Sequence, residues 1–132
     1  MELAFLTLEE VLAIHQQQID RYGGSPGVRD GAALESAVAT PQASFDGVYL
    51  HVSIAGMAAA YLFHICQNHP FVDGNKRTGA NAAITFLLLN GYEPTFTEDE
   101  LVELVLRVAS SQLSKQQIIP MFEAHVQGLP EK

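Results

Sequence analysis

From His51 to about Asn68 the chain is small and apolar nearly all round, a pattern that suits only a helix enclosed by other elements. Its most apolar part, Ile54 to Cys66, is too short to cross a bilayer, so protein must do the enclosing. Pro70, Asp73 and Gly74 then break the periodicity. Lys76 to Asn90 resumes it through Ala80, Ala83, Ile84, Leu87 and Leu88, and Gly91 supplies a C-terminal stop. Two buried helices flanking a short polar loop are therefore the centre around which everything else has to pack.

The remaining pattern is also helical. Three capping boxes, Thr7 with Glu10, Thr97 with Glu100 and Ser114 with Gln117, mark helix starts, because each pair satisfies two backbone N–H groups that a helix start leaves free. The first opens a helix to about Tyr22, with Leu8, Val11, Leu12 and Ile19 on one face and Gly23-Gly24 ending it. Asp30 to about Ala39 reads as a second, short helix closed by Pro41. Gln42 to Tyr49 carries turn residues with scattered Phe45, Val48 and Tyr49, which fits a loop or a weak hairpin. Glu98 to about Ser110 and Lys115 to about Val126 complete an all-α domain spanning 1–132, and Gly128 to Lys132 is expected to fray. No internal repeat, linker or low-complexity segment interrupts it.

Charge narrows the partners. Seven Lys+Arg against 15 Asp+Glu leave a formal charge of -8, which repels phosphate backbones and anionic lipid. A broad nucleic-acid or membrane surface is not expected, and any anion site must be local, built from a few basic groups and backbone amides. A single cysteine, Cys66, excludes an intramolecular disulfide and suits a reducing compartment. Met1 to Phe5 has no basic leader pattern. The expected setting is the cytoplasm.

The segment His69-Pro70-Phe71-Val72-Asp73-Gly74-Asn75-Lys76-Arg77-Thr78 opens the second buried helix and carries the chemistry. A helix start offers unpaired N–H groups and the positive end of the macrodipole, and Gly74 lets a ligand come close to the main chain. Gly74, Asn75 and Lys76 thus make a candidate anion cradle, with Lys76 and Arg77 as a phosphate clamp. Asp73 is a candidate Mg²⁺ ligand, since that ion commonly shares one or two carboxylates with phosphate and water. His69 is a candidate proton acceptor near neutral pH. The same residues also fit a plain capped start, with Asn75 as N-cap and Lys76 and Arg77 solvated. Residue types alone leave both readings open.

Several competitors find no support. The chain has no G-x-x-x-x-G-K-[ST] and no H-E-x-x-H. His64, Cys66 and His69 lie close in sequence, but on a helix Cys66 points well away from His64, and a structural zinc site wants four ligands. Packing roles are favoured for His64 and Cys66, and an inert buried thiol for the latter. His15, His51 and His125 are isolated and read as structural or exposed.

His69 to Arg77 resembles the Fic/Doc signature H-x-F-x-[DE]-[AG]-N-[GK]-R, in the form typical of Doc (death on curing) toxins. Val28 to Val38 is similar to a Doc segment, and the resemblance continues through Asn90-Gly91-Tyr92. It implies a helical domain whose central helix pair flanks the active-site loop, and an enzyme that moves part of a nucleotide onto a protein hydroxyl. By resemblance His69 is the general base, Asp73 the Mg²⁺ ligand, Asn75 and Arg77 phosphate contacts, Gly74 and Lys76 members of the anion-binding turn, and Phe71 the packing residue. The segment Gln42 to Tyr49 is similar to the family's flap, which holds the target peptide.

Most Fic enzymes carry Gly where this chain has Lys76, and transfer AMP. A lysine in that turn crowds the cradle and favours the nucleotide reversed, γ-phosphate toward His69, so the resemblance implies an ATP- and Mg²⁺-dependent protein kinase. The target expected on this ground is a threonine of elongation factor Tu, with translation blocked as the result. No Glu here is followed by Gly or Asn, so the family's inhibitory [ST]-x-x-x-E-[GN] device is missing, as suits a toxin neutralised by a separate Phd-like antitoxin. An AMP-transferring enzyme and a catalytically silent binding module are the competing expectations.

Overall fold

Cap residues decide where the helices begin. The computed structural model describes residues 2–130. In α1 (Leu8–Tyr22) and α5 (Glu98–Ala109), Thr7 with Glu10 and Thr97 with Glu100 form reciprocal capping boxes, and Ser114 with Gln117 does the same for α6 (Lys115–Ala124). Asp30 caps α2 (Gly31–Ala39) by accepting from Ala33 N–H. A 3-10 turn, Thr40–Gln42, with Pro41 buried, ends that helix and redirects the chain.

The uncertain segment that follows is a hairpin. Strands β1 (Ser44–Phe45) and β2 (Val48–Tyr49) pair antiparallel, with Ser44 opposite Tyr49 and Phe45 opposite Val48. Asp46 and Gly47 both take positive φ, 51° and 77°, the requirement of the type I′ turn that matches strand twist.

The central helix, α3 (Ile54–Asn68), begins later than the expected His51. Ser53 is extended and accepts from Gly56 N–H; with glycine three positions on, no capping box signals the start, and apolar Val52 merely prolongs the run. Ala55 to Leu62 are all buried, as are Ile65 and Cys66, so α3 is surrounded as the sequence demanded. Its neighbour α4 (Asn75–Leu89) packs closely because Gly79 faces it. A Cβ there would stand 3.3 Å from the Leu62 carbonyl oxygen.

Tyr61, Phe86, Leu6 and Ile118 fill the middle. Each fully buried apolar side chain of this size contributes about 1.5–3 kcal/mol. Burial pushes the Tyr61 phenol up to about 12, and its oxygen accepts the Leu6 N–H at 3.0 Å.

Two expectations at the C-terminal end need correction. Helix α6 stops at Ala124 rather than near Val126, and Gly128 does not fray: β4 (Val126–Gly128) pairs antiparallel with β3 (Tyr92–Pro94). The Leu129 N–H goes on to the Gly91 carbonyl at 2.9 Å. Glu131 and Lys132, the end of the expected frayed tail, lie outside the described residues. No helix among the described residues is long and apolar enough to cross a membrane.

Candidate functional site

Helix α3 ends at His69, which takes a left-handed conformation, φ 49° and ψ 54°. For a residue with a Cβ this costs roughly 1–2 kcal/mol, and neighbouring groups offset it. Arg29 donates from Nε to the His69 carbonyl at 2.6 Å and from its terminal nitrogen to the Asn68 carbonyl at 2.9 Å. A cation thus covers the negative end of the helix. The Pro70 carbonyl accepts the N–H groups of Arg29 and Asp30, and Val72 donates to Gly27. The strand-like segment 27–30 therefore runs along the loop as a strap.

Inside the loop, Phe71 is fully buried and its ring stacks on His15, centroids 3.7 Å apart and planes within 6°. The Asn75 side chain makes two 3.0 Å bonds to Phe71, donating to its carbonyl and accepting its N–H. Asp73 is tied twice. One carboxylate oxygen accepts the Ser25 N–H at 2.8 Å, and its backbone carbonyl lies 2.8 Å from His15 Nε2. Gly74 then takes φ 82°, a left-handed value natural to glycine, and stands as N-cap of α4.

These ties bring Cys66, His69, Asp73, Gly74, Asn75 and Lys76 to the wall of one cleft of about 310 Å³, closed on the far side by Ala109. Gly74, Asn75 and Lys76 are also one wall of a second cleft of about 460 Å³, whose opposite wall is Leu101, Val102, Val105 and Leu106 of α5. The start of α4 is thus a ridge between two hollows. Arg77 lines the second, its guanidinium 4.3 Å from the centre of the Tyr22 ring, within cation–π range.

Five of the six candidates, His69, Asp73, Gly74, Asn75 and Lys76, therefore share the first cleft, and Arg77 looks across the ridge. Asn75 is the first helical residue and not the N-cap. Its side chain is engaged with Phe71 through the oxygen and one of its two amide hydrogens, so the backbone N–H is its main group for an anion.

The other carboxylate oxygen of Asp73 accepts no hydrogen bond among the described residues. One free carboxylate beside a helix N-terminus fits Mg²⁺ shared with phosphates, and does not fit a closed protein cage. Cys66 is not a nucleophile here: burial pushes its thiol up to about 12, against the opposing pull of the Lys76 ammonium. His64 faces away toward Lys115 Nζ, 3.0 Å distant, and burial with that ammonium lowers it to about 4. His51 is buried too, its Nδ1 without a partner among the described residues, while His125 stacks on Phe96.

The residues that sequence reasoning missed are those that hold the loop, His15, Ser25 and Arg29, and Tyr22, whose ring lies under Arg77. His15 lies 58 positions from its partner Asp73, and nothing local announces the pairing.

Comparison with known proteins agrees with this architecture. The model of the Fic/DOC family matches residues 5–87. The protein called protein kinase doc, from Escherichia phage P1, is 36% identical over 107 residues, covering 80% of this chain and 82% of that protein. Toxin Doc of Mycolicibacterium smegmatis is 43% identical over 91 residues, covering 67% of this chain and 70% of the relative.

Proposed function

The chain belongs to the Fic/DOC family, and we propose that it is a Doc-like toxin, a protein kinase that transfers the γ-phosphate of ATP to a hydroxyl of a protein target. The carrying observation is that His69, Asp73, Gly74 and Lys76 line one cleft at the start of α4. In this reading the exposed His69 imidazole takes the proton of the target hydroxyl. The hydroxyl oxygen bonds to the γ-phosphorus as the bond to the bridging oxygen breaks, and ADP leaves. The free N–H groups at the start of α4, with the Lys76 ammonium, hold the phosphates. Asp73 would hold Mg²⁺ through its free oxygen, and the ion would supply neutralisation of phosphate charge.

Lys76 supports transfer of phosphate over AMP. It stands in the turn itself and lines both clefts, so its side chain crowds the place where an α-phosphate would sit. The β1–β2 hairpin, the family's flap, is the proposed holder of the target, for which a threonine of elongation factor Tu is the candidate. Modification there would block translation, in the cytoplasm. The proposed partner that restrains the protein is a Phd-like antitoxin. The apolar wall Leu101, Val102, Val105 and Leu106 of the second cleft suits the apolar face of an antitoxin helix.

One labelling experiment tests the reading. The protein is incubated with Mg²⁺, purified elongation factor Tu or cell lysate, and ATP labelled at the α- or the γ-phosphate. Label from γ on protein is the expected result; label from α would replace the kinase with an AMP-transferase, and no label in either case would favour a silent binding module. Lys76→Gly should lose γ-transfer and gain at most a little α-transfer, and unchanged γ-transfer would remove Lys76 from the argument. Expression of the chain alone should slow bacterial growth, with a co-expressed antitoxin restoring it.

A further inference from the structure

Gly74 stands where the two clefts meet, and its N–H finds no acceptor among the described residues. Glycine does not hold that N–H in place. At φ 82° and without a Cβ, the peptide between Asp73 and Gly74 has an alternative orientation at little steric cost. Turned over, it would present a carbonyl oxygen to the cleft, an acceptor facing whatever anion came there.

One contact selects the orientation. The peptide is trans, like every other in the described chain, so its carbonyl and its N–H point to opposite sides. The Asp73 carbonyl lies 2.8 Å from His15 Nε2. A carbonyl oxygen only accepts, so Nε2 carries a proton and donates it. His15 is 2% exposed on the buried face of α1, so the carbonyl is drawn inward and the Gly74 N–H is turned away from α1, outward to the mouth of the clefts. The His15 ring is itself clamped by its stack on Phe71.

We propose that His15 is a positioning residue: it locks the Asp73–Gly74 peptide plane so that the Gly74 N–H faces a bound phosphate group. The role rests on the phosphate-binding reading given above. It makes the cradle preorganised, with its donor in place before the anion arrives.

Packing against Phe71 is the competing role for His15, and two substitutions separate them. His15→Phe keeps a ring for the stack and removes the donor. His15→Gln removes the ring, and its amide nitrogen lies as many bonds from Cα as the imidazole Nε2. The three proteins are titrated with inorganic pyrophosphate and with Mg²⁺-free ATP by calorimetry. The direction of the Gly74 N–H is read from its residual dipolar coupling.

The lock predicts that His15→Phe weakens binding about 10- to 100-fold, the range of one charge-assisted hydrogen bond, and alters the Gly74 coupling. His15→Gln should stay within about threefold of the wild type on the same scale. An unaltered coupling in His15→Phe overturns the proposal, and so does a His15→Gln protein weaker in binding than His15→Phe, because the stack would then carry the effect. Should the wild type bind neither ligand, the phosphate reading falls separately. The Gly74 coupling still decides the lock.

Discussion

Two short connections, the loop 69–74 and the hairpin 44–49, leave helices of the same core and are built in opposite ways. The loop is fastened from α1, from the segment 25–30 and from α4, and it buries Phe71 completely. The hairpin holds mainly to itself. Beyond its own pairing it has the Leu50 N–H on the Ala43 carbonyl and the Tyr49 ring 5.5 Å from Phe5, and it leaves Phe45 73% exposed. Chemistry that depends on placing a base and a phosphate within tenths of an ångström needs the first kind of connection. Adding a strand from another protein needs the second, with open edges and apolar side chains still in water.

The contrast can be broken at several points. The largest expected effect is His69→Ala, which should cut transfer about 10²–10⁴-fold, the usual worth of a general base, while the thermal midpoint stays near that of the wild type. Turnover close to normal would leave His69 a helix terminator and nothing more. Phe71→Ala should lower stability by about 3–5 kcal/mol through the cavity it opens. Phe45→Ala in the hairpin should stay within about 0.5 kcal/mol but lower modification of a protein target. Urea unfolding of the two proteins measures the asymmetry directly, and equal losses would refute it.

Arg29→Ala comes next. Uncapping the end of α3 should cost about 1–2 kcal/mol and lower transfer about tenfold through misplacement of His69; Arg29→Lys, which cannot bridge two carbonyls with a planar fork, should rescue little. The smallest effect lies outside both connections and serves as their control. His64 is neutral in the fold down to about pH 4 against an ordinary value of 6.5. The unfolded chain therefore binds the extra proton in that window, and stability falls as pH drops from about 6.5 toward about 4. The loss should be on the order of 1 kcal/mol, since His64 is partly open to solvent. His64→Gln should flatten that slope in a pH series of denaturation curves.

Local chemistry made the helical frame legible. Thr7, Thr97 and Ser114 announced three helix starts because each cap and its partner sit within one turn. The His69–Arg77 segment was legible for the same reason, as a loop, a glycine and a helix start in one run. What stayed hidden depends on distant partners. Strands β3 and β4 are too short to show an alternating pattern, one contains Pro94, and they meet only after α5 and α6 have been placed. The Asp46-Gly47 turn was present in the sequence, yet without long flanking strands it did not distinguish a hairpin from a loop. His15 looked like an isolated histidine until the fold set it under Asp73.

The far end of α4 gathers both ends of the described chain. Asn90 exchanges two 2.9 Å hydrogen bonds with Ala4, and Gly91 receives the Leu129 N–H. Fifteen helical residues separate this junction from the ridge at Gly74, about 22 Å at the usual rise. Neighbouring ends invite a circular permutant, with a short peptide joining Leu129 to Ala4 and new ends cut at the solvent-exposed Asp46-Gly47 turn. Such a molecule would retain its helices and the strapped loop while the hairpin becomes two free tails. It would turn the proposed recognition element into something that can be deleted residue by residue without touching the start of α4.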